Sequence, residues 1–196
     1  MSTVALSMMF VRMLLIPFFA LLGQGCASFP ASNSWQVAVH RHVTQLGFRN
    51  WIVIAEASFP AYSRSGVHQV TAQTEITDVL AHVLQTIDQT QHVKPNVYLT
   101  RELRSMNNDS APGIDELKKK NDQLLAGMEV TSLDQESLMS LISDANRSFE
   151  VLIIRTTSAL PYSSVFLELQ PGYWDAESEQ QLRARIDEER TLKSKS

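Results

Sequence analysis

Five histidines, one cysteine and a few polar residues at the ends of apolar runs are the groups in this 196-residue chain whose types and spacing could do chemistry. His40 and His42 look at first like a metal-binding pair. Both fall in a helical stretch, where residues two apart point about 200° from one another and cannot share one ion from a single face. They read as surface or helix-packing residues, and no metal site is assigned. His82 lies in the polar arc of the most periodic helical segment, His92 sits in a turn before Pro95, and only His68, in a strand-like stretch after Gly66, is placed near a site. No order of Ser, His and Asp argues for a catalytic triad, no glycine-rich loop is present to cradle phosphate, and no thiol lies inside the domain. What remains is Glu56, which ends one apolar run, and Tyr162, which precedes another; ligands in open α/β sheets bind at the ends of buried strands.

The elements that position these residues follow from periodicity. Ser34 is placed to cap a helix carrying Trp35, Val39, Val43 and Leu46, with Gly47 as its stop. Trp51-Ile52-Val53-Ile54-Ala55 is a short continuous apolar run, as expected of a strand buried on both faces. Glu56 to Gly66 is a long connection. Ile76, Val79, Leu80, Val83, Leu84 and Ile87 recur at helical spacing and predict a helix over 75–87. Strands are predicted at 97–100, 128–132, 150–155 and 164–169, and helices at 114–125 and from Ser132 or Asp134 onward, with a polar loop over 105–113. The Lys118-Lys119-Lys120 run reads as a solvated helix face. Strands alternating with helices imply a single α/β domain with a central, largely parallel sheet.

The N-terminus predicts export. Arg12 precedes the apolar run 13–22, which ends in Gly23-Gln24-Gly25-Cys26, the order of a secretory signal peptide over residues 1–25. The run is well short of the roughly 20 residues a membrane-spanning helix needs. The lone cysteine directly after a small residue resembles a bacterial lipobox, except that Gly23 stands where a branched apolar residue is usual. Cys26 is therefore taken as a lipidation site, residues 26–33 as a tether, and the protein as anchored in the bacterial envelope by its N-terminal lipid. Ala27 favours the outer membrane, facing the periplasm, by analogy with known lipoproteins. With no second cysteine, the domain at 34–174 must hold by its core alone. Residues 175–196 read as a charged C-terminal helix or tail. Seventeen Lys and Arg against 21 Asp and Glu leave no basic footprint for nucleic acid.

Two stretches resemble the D-ribose pyranase and L-fucose mutarotase family (RbsD/FucU). The first runs Leu46-Gly47-Phe48-Arg49-Asn50-Trp51-Ile52-Val53-Ile54-Ala55-Glu56-Ala57-Ser58-Phe59-Pro60-Ala61, and the second Pro161-Tyr162-Ser163-Ser164-Val165-Phe166-Leu167. Between them, Gly66-Val67-His68-Gln69-Val70 and the helix through Asp78-Val79-Leu80 fit the family's order and spacing. The resemblance spans roughly 34–172. It implies a three-layer α/β/α domain, a homo-oligomer with a sugar site near subunit contacts, and no cofactor. The implied activity is interconversion of the anomeric or ring forms of an aldose such as ribose or fucose. Opening a hemiacetal needs a base for the anomeric hydroxyl proton and an acid for the ring oxygen.

Carried over residue by residue, the resemblance makes Glu56 and Tyr162 the catalytic candidates and Phe48, His68 and Ser164 the substrate-binding ones. Phe48 replaces the family's histidine and Ser164 its asparagine, while Glu56 keeps the strand-end carboxylate on a longer arm. Phe48 stacks on a sugar face or simply packs after the helix stop. Glu56 is an acid–base group or an ion-pair partner of Arg49 or Arg64. The Tyr162 hydroxyl binds sugar or is buried against backbone. The rival to an isomerase is a non-catalytic envelope sugar-binding or scaffold protein of the same fold.

Overall fold

The computed structural model describes residues 34–194. The predicted signal peptide, Cys26 and the tether lie outside the described residues. Helix α1 (Trp35–Val43) opens with Ser34, whose hydroxyl accepts from the Val37 amide. Then come strands β1 (Trp51–Ala55) and β2 (Val67–Thr71), helix α2 (Ile76–Thr90), strand β3 (Val93–Thr100), and helices α3 (Arg101–Ser105) and α4 (Ile114–Leu124). Strand β4 (Val130–Leu133), helix α5 (Gln135–Ala145), strands β5 (Val151–Arg155) and β6 (Val165–Pro171), and helix α6 (Ala176–Ser194) complete the order.

The six strands form one sheet in the order β2-β5-β1-β6-β3-β4. Its β2–β5, β5–β1 and β3–β4 pairs are parallel, and β6 runs antiparallel to both neighbours, β1 and β3. The domain is thus α/β with a largely parallel central sheet, as the alternation of elements predicts. All five residues of β1 are buried, because the sheet is covered on both faces. Ile52, Ile54, Leu152, Ile154, Val165 and Leu167 point to the face covered by α1, α2 and α4. Trp51, Val53, Val151, Ile153 and Phe166 point to the other, against Leu138 and Ile142 of α5.

Part of that second face is covered without a helix. The connection 56–66 leaves β1 at one edge of the sheet and must return to the other to start β2 parallel to it. Its Phe59 is buried 6.1 Å from the Phe166 ring and 6.4 Å from Tyr62. The guanidinium of Arg155, at the end of β5, holds this connection by donating to the carbonyls of Ala57 and Phe59.

Several boundaries differ from the sequence expectation. Helix α1 ends at Val43 with Thr44 as its C-cap, because the Thr44 hydroxyl turns back to the His40 and Arg41 carbonyls, so Leu46 and Gly47 lie beyond it. Helix α2 runs three residues further than expected, to Thr90. Strand β3 starts at Val93, four residues early, and passes through Pro95, which pairs with Leu169 of β6. Strand β4 pairs only with 97–100, so the Pro95 side away from β6 has no ladder to supply and the ring is tolerated. Strand β4 itself begins at Val130, leaving Met128 exposed. The short helix α3 appears where a strand end was expected to run into a loop, capped by the Thr100 hydroxyl, which accepts from the Leu103 amide.

At the amino end of β3, Gly172 donates to the His92 carbonyl, and a Cβ at this position would lie 2.3 Å from the Gln91 carbonyl oxygen. Gly172→Ala is therefore expected to lower unfolding stability by about 1–3 kcal/mol in urea titration. Gly47→Ala, with nothing within 4 Å of its added carbon, should stay within about 0.5 kcal/mol of the parent.

Candidate functional site

The topology gathers polar groups at the carboxyl edge of the sheet. Strands β1 to β5 all end there, and β6, the antiparallel strand, begins there. Glu56 is the first residue past β1 and Ser164 the last before β6. The Glu56 amide donates to the Ser164 hydroxyl at 3.1 Å, which ties the two strand ends together. The Glu56 side chain is half-buried, and both its oxygens have donors: the Ser58 hydroxyl to Oε1 at 2.9 Å and the Ser163 amide to Oε2 at 3.1 Å. Among the described residues Glu56 makes no ion pair, so neither Arg49 nor Arg64 partners it.

Tyr162 is one residue before the amide that binds this carboxylate. Its backbone is left-handed, with φ of 59°, in a non-glycine residue where that conformation costs roughly 1–2 kcal/mol. The strain is held in place from two sides. Thr100, at the end of β3, donates its hydroxyl to the Tyr162 carbonyl at 2.9 Å, and the Ser163 hydroxyl donates to the Leu160 carbonyl at 2.7 Å. Tyr162 as a whole is 36% exposed. The Thr156 hydroxyl donates to the Ala55 carbonyl at 2.8 Å, and the Ala57 amide donates to the Ser158 carbonyl at 2.8 Å, closing the loop after β5 against the loop after β1. Along the same edge, Arg101, Glu102 and Asp134 line a cavity of about 390 Å³.

Phe48 and His68 lie at the other edge. Phe48 precedes β1 and is 54% exposed, with the Arg49 guanidinium 5.8 Å from its ring centroid. His68 is the second residue of β2, paired in register with Leu152, and its Nε2 is 3.5 Å from a Glu150 oxygen. Its ring lies against that of His42, with centroids 4.6 Å apart and the planes tilted by 34°. A five-residue strand spans about 17 Å, so within one chain the structure joins Glu56, Tyr162 and Ser164 but separates them from Phe48 and His68. This amino edge has its own cavity of about 440 Å³, lined in part by Asn50, Gly66, Asn146 and Glu150.

The sequence reading missed Ser58, Ser163, Thr100 and Arg155, which fix the carboxyl edge. Arg155 had a signal: it is the one charged residue closing an otherwise apolar run. No group of three or more His, Cys, Asp or Glu that could hold a metal ion occurs among the described residues. Nor is any described helix long and apolar enough to cross a membrane.

No protein-family model matches the chain, and no curated protein matches it. Solved structures do. Bacillus subtilis RbsD complexed with D-ribose superposes with a TM-score of 0.51 at 21% identity, covering 67% of this chain and 89% of that one. The fucose mutarotase from Streptococcus pneumoniae, solved with L-fucose, gives 0.47 at 16% identity over 72% of this chain and 96% of that one. FucU from Bifidobacterium longum gives 0.45 at 15% over 67% and 91%. The RbsD superposition shows a shared fold.

The amino-edge histidines make a pH prediction. Burial first, then the adjacent His68 and Arg41 charges, hold His42 below its ordinary value of 6.5, while Glu150 opposes them. A folded-state value below the unfolded one means that this contribution to stability is present above 6.5 and lost as the pH falls. In an NMR titration the His42 ring should have its midpoint below 6.5, and Glu150→Gln should lower it further.

Proposed function

We propose that the protein binds a monosaccharide at the carboxyl edge of its sheet and interconverts the anomeric or ring forms of an aldose such as ribose or fucose. The observation that carries this reading is the half-buried Glu56 carboxylate, held at a strand end by Ser58 and Ser163 beside the strained Tyr162. Fold likeness to a ribose-bound protein supports it, although fold alone never settles function.

The chemistry asks little of the protein. Glu56 takes the proton of the anomeric hydroxyl, the carbonyl forms at C1, the bond from C1 to the ring oxygen breaks, and the Tyr162 hydroxyl protonates that oxygen. Reclosure on either face of the carbonyl returns both protons. The Ser164 hydroxyl, which already accepts from the Glu56 amide, has its own proton left to donate to a sugar hydroxyl. Phe48 and His68 enter this scheme only from a second copy, with the amino edge of one subunit laid against the carboxyl edge of another. That arrangement accounts for their distance from Glu56, and we include a homo-oligomer in the proposal.

Two observations favour a second reading, a non-catalytic sugar binder in the envelope. Both Glu56 oxygens already accept hydrogen bonds, and Phe48, which cannot transfer a proton, stands where the resembled family has histidine. Magnetisation-transfer NMR of ribose and fucose with the full-length protein separates the two. The isomerase reading expects accelerated anomer exchange, which Glu56→Gln and Tyr162→Phe each lower about 100-fold or more. Unchanged exchange in both variants would sink the assignment. No acceleration, with sugar resonances still broadened by binding, selects the binder.

The proposal also places the protein outside the cytoplasm, exported and lipid-anchored at Cys26, in the outer membrane facing the periplasm. This rests on residues 12–26 of the sequence. Growth of expressing cells on a tagged fatty acid should label the parent and leave Cys26→Ser unlabelled; equal labelling of both contradicts the anchor.

A further inference from the structure

Three large apolar residues stay open around the amino end of β3. Met128 is 40% exposed, Tyr173 81% and Trp174 40%. Met128, Pro95 and Gly172 line a cavity of about 470 Å³ beside the C-terminus of α2, and Tyr173 and Trp174 follow Gly172 directly. Exposed apolar residues scattered singly need no explanation, but gathered around a cavity they mark a binding surface.

The aromatic pair is held from both sides. Before it, the Gly172 amide donates to the His92 carbonyl at 2.9 Å. After it, Asp175 Oδ1 accepts from the Ser178 amide at 2.7 Å and so caps α6. The Trp174 indole donates to Glu179 Oε2 at 2.9 Å, while Oε1 of the same carboxylate takes the Arg183 Nε at 2.7 Å. An indole has one donor and no acceptor, so Trp174 has no hydrogen bond left to give and can meet a ligand only through ring carbon. A surface ordered beforehand loses little further freedom on binding.

The polar groups of the cavity are uncommitted. Asp88, Gln91 and Lys94 line it as exposed residues, and none of their side chains makes a hydrogen bond or an ion pair among the described residues. The Asp175 carboxyl is held below its ordinary value first by the Ser178 hydrogen bonds and also by the Lys94 charge, which places Lys94 near the start of α6. One carboxylate, one carboxamide and one ammonium offer donors and acceptors with no net charge. An ion finds no preference there, and a wholly apolar occupant would strip water from all three without replacing it. Hydroxyls satisfy them. Pyranose rings whose hydroxyls are all equatorial also keep C–H faces that aromatic rings can cover.

We propose that this surface is a second ligand site, separate from the carboxyl edge, for an uncharged chain of β-linked, all-equatorial hexoses. Its ring faces lie on Tyr173 and Trp174, and its hydroxyls bond to Asp88, Gln91 and Lys94.

The probe is cellotetraose, titrated into the full-length protein and followed by the Trp174 indole resonance and the amides of 91–94 and 172–174. Saturable shifts of these resonances are expected, and D-glucose, a single ring, should bind there at least about tenfold more weakly. Tyr173→Ala should keep the parent melting temperature and lose about tenfold in cellotetraose affinity, the effect of one aromatic face. Asp88→Ala should lose about as much, the effect of one hydrogen bond. Undiminished binding by both variants overturns the proposal, and so do cellotetraose shifts centred on 56–58 and 158–164 with 172–174 unmoved. Resonances of 172–174 that do not move at the solubility limit of cellotetraose overturn it as well; if vesicles of phosphatidylglycerol then move them, the surface is a membrane contact instead.

Discussion

A sheet covered on both faces can present chemistry only at its edges. Every position in the middle of β1 and β5 faces one apolar layer or the other, and a charged side chain there would be desolvated without a partner. The residues able to meet a polar ligand are therefore those just before and just after the strands. Glu56, Arg155 and Tyr162 all occupy such positions, as do Phe48 and Glu150 at the opposite edge. The two candidate regions, and the length of strand between them, follow from this one constraint.

The antiparallel strand decides which residues meet. Had β6 run parallel to β1, its leading residues 162–164 would lie beside Phe48 and not beside Glu56. Running the other way, β6 brings the Ser163 amide to the Glu56 carboxylate and the Ser164 hydroxyl to its amide. Thr100 then couples β3 to the same point, because its hydroxyl both caps α3 and holds the Tyr162 carbonyl. Loops anchored from three strands hold the left-handed backbone at Tyr162, one residue before the amide that binds the Glu56 carboxylate.

Much of this was legible in the sequence, for reasons that can be stated residue by residue. Continuous apolar runs at 51–55 and 151–155 announce strands buried on both faces, and the 3.6-residue stripe from Ile76 to Ile87 announces a helix, because both signals arise from local periodicity. Glu56 and Tyr162 could be singled out because strand ends are where polar residues escape the core. The separation of Phe48 from Glu56 follows from the length of β1, but that of His68 depends on strand order and direction, set by the pairing of β5 with β1 and β2, which no local pattern encodes. Strand β3 runs four residues beyond the 97–100 that the sequence suggests, through Pro95, because only the topology shows that one side of the ladder is free there.

The central claim is that sugar binds at the carboxyl edge. Amide chemical-shift mapping of the protein titrated with D-ribose and with L-fucose tests it most directly. The account predicts saturable shifts centred on 56–58 and 158–164, with any at Phe48 or His68 appearing only in assembled protein. Shifts centred instead on the amino-edge cavity around Asn146 and Glu150 with those residues of the carboxyl edge unmoved, or none with either sugar, would contradict it.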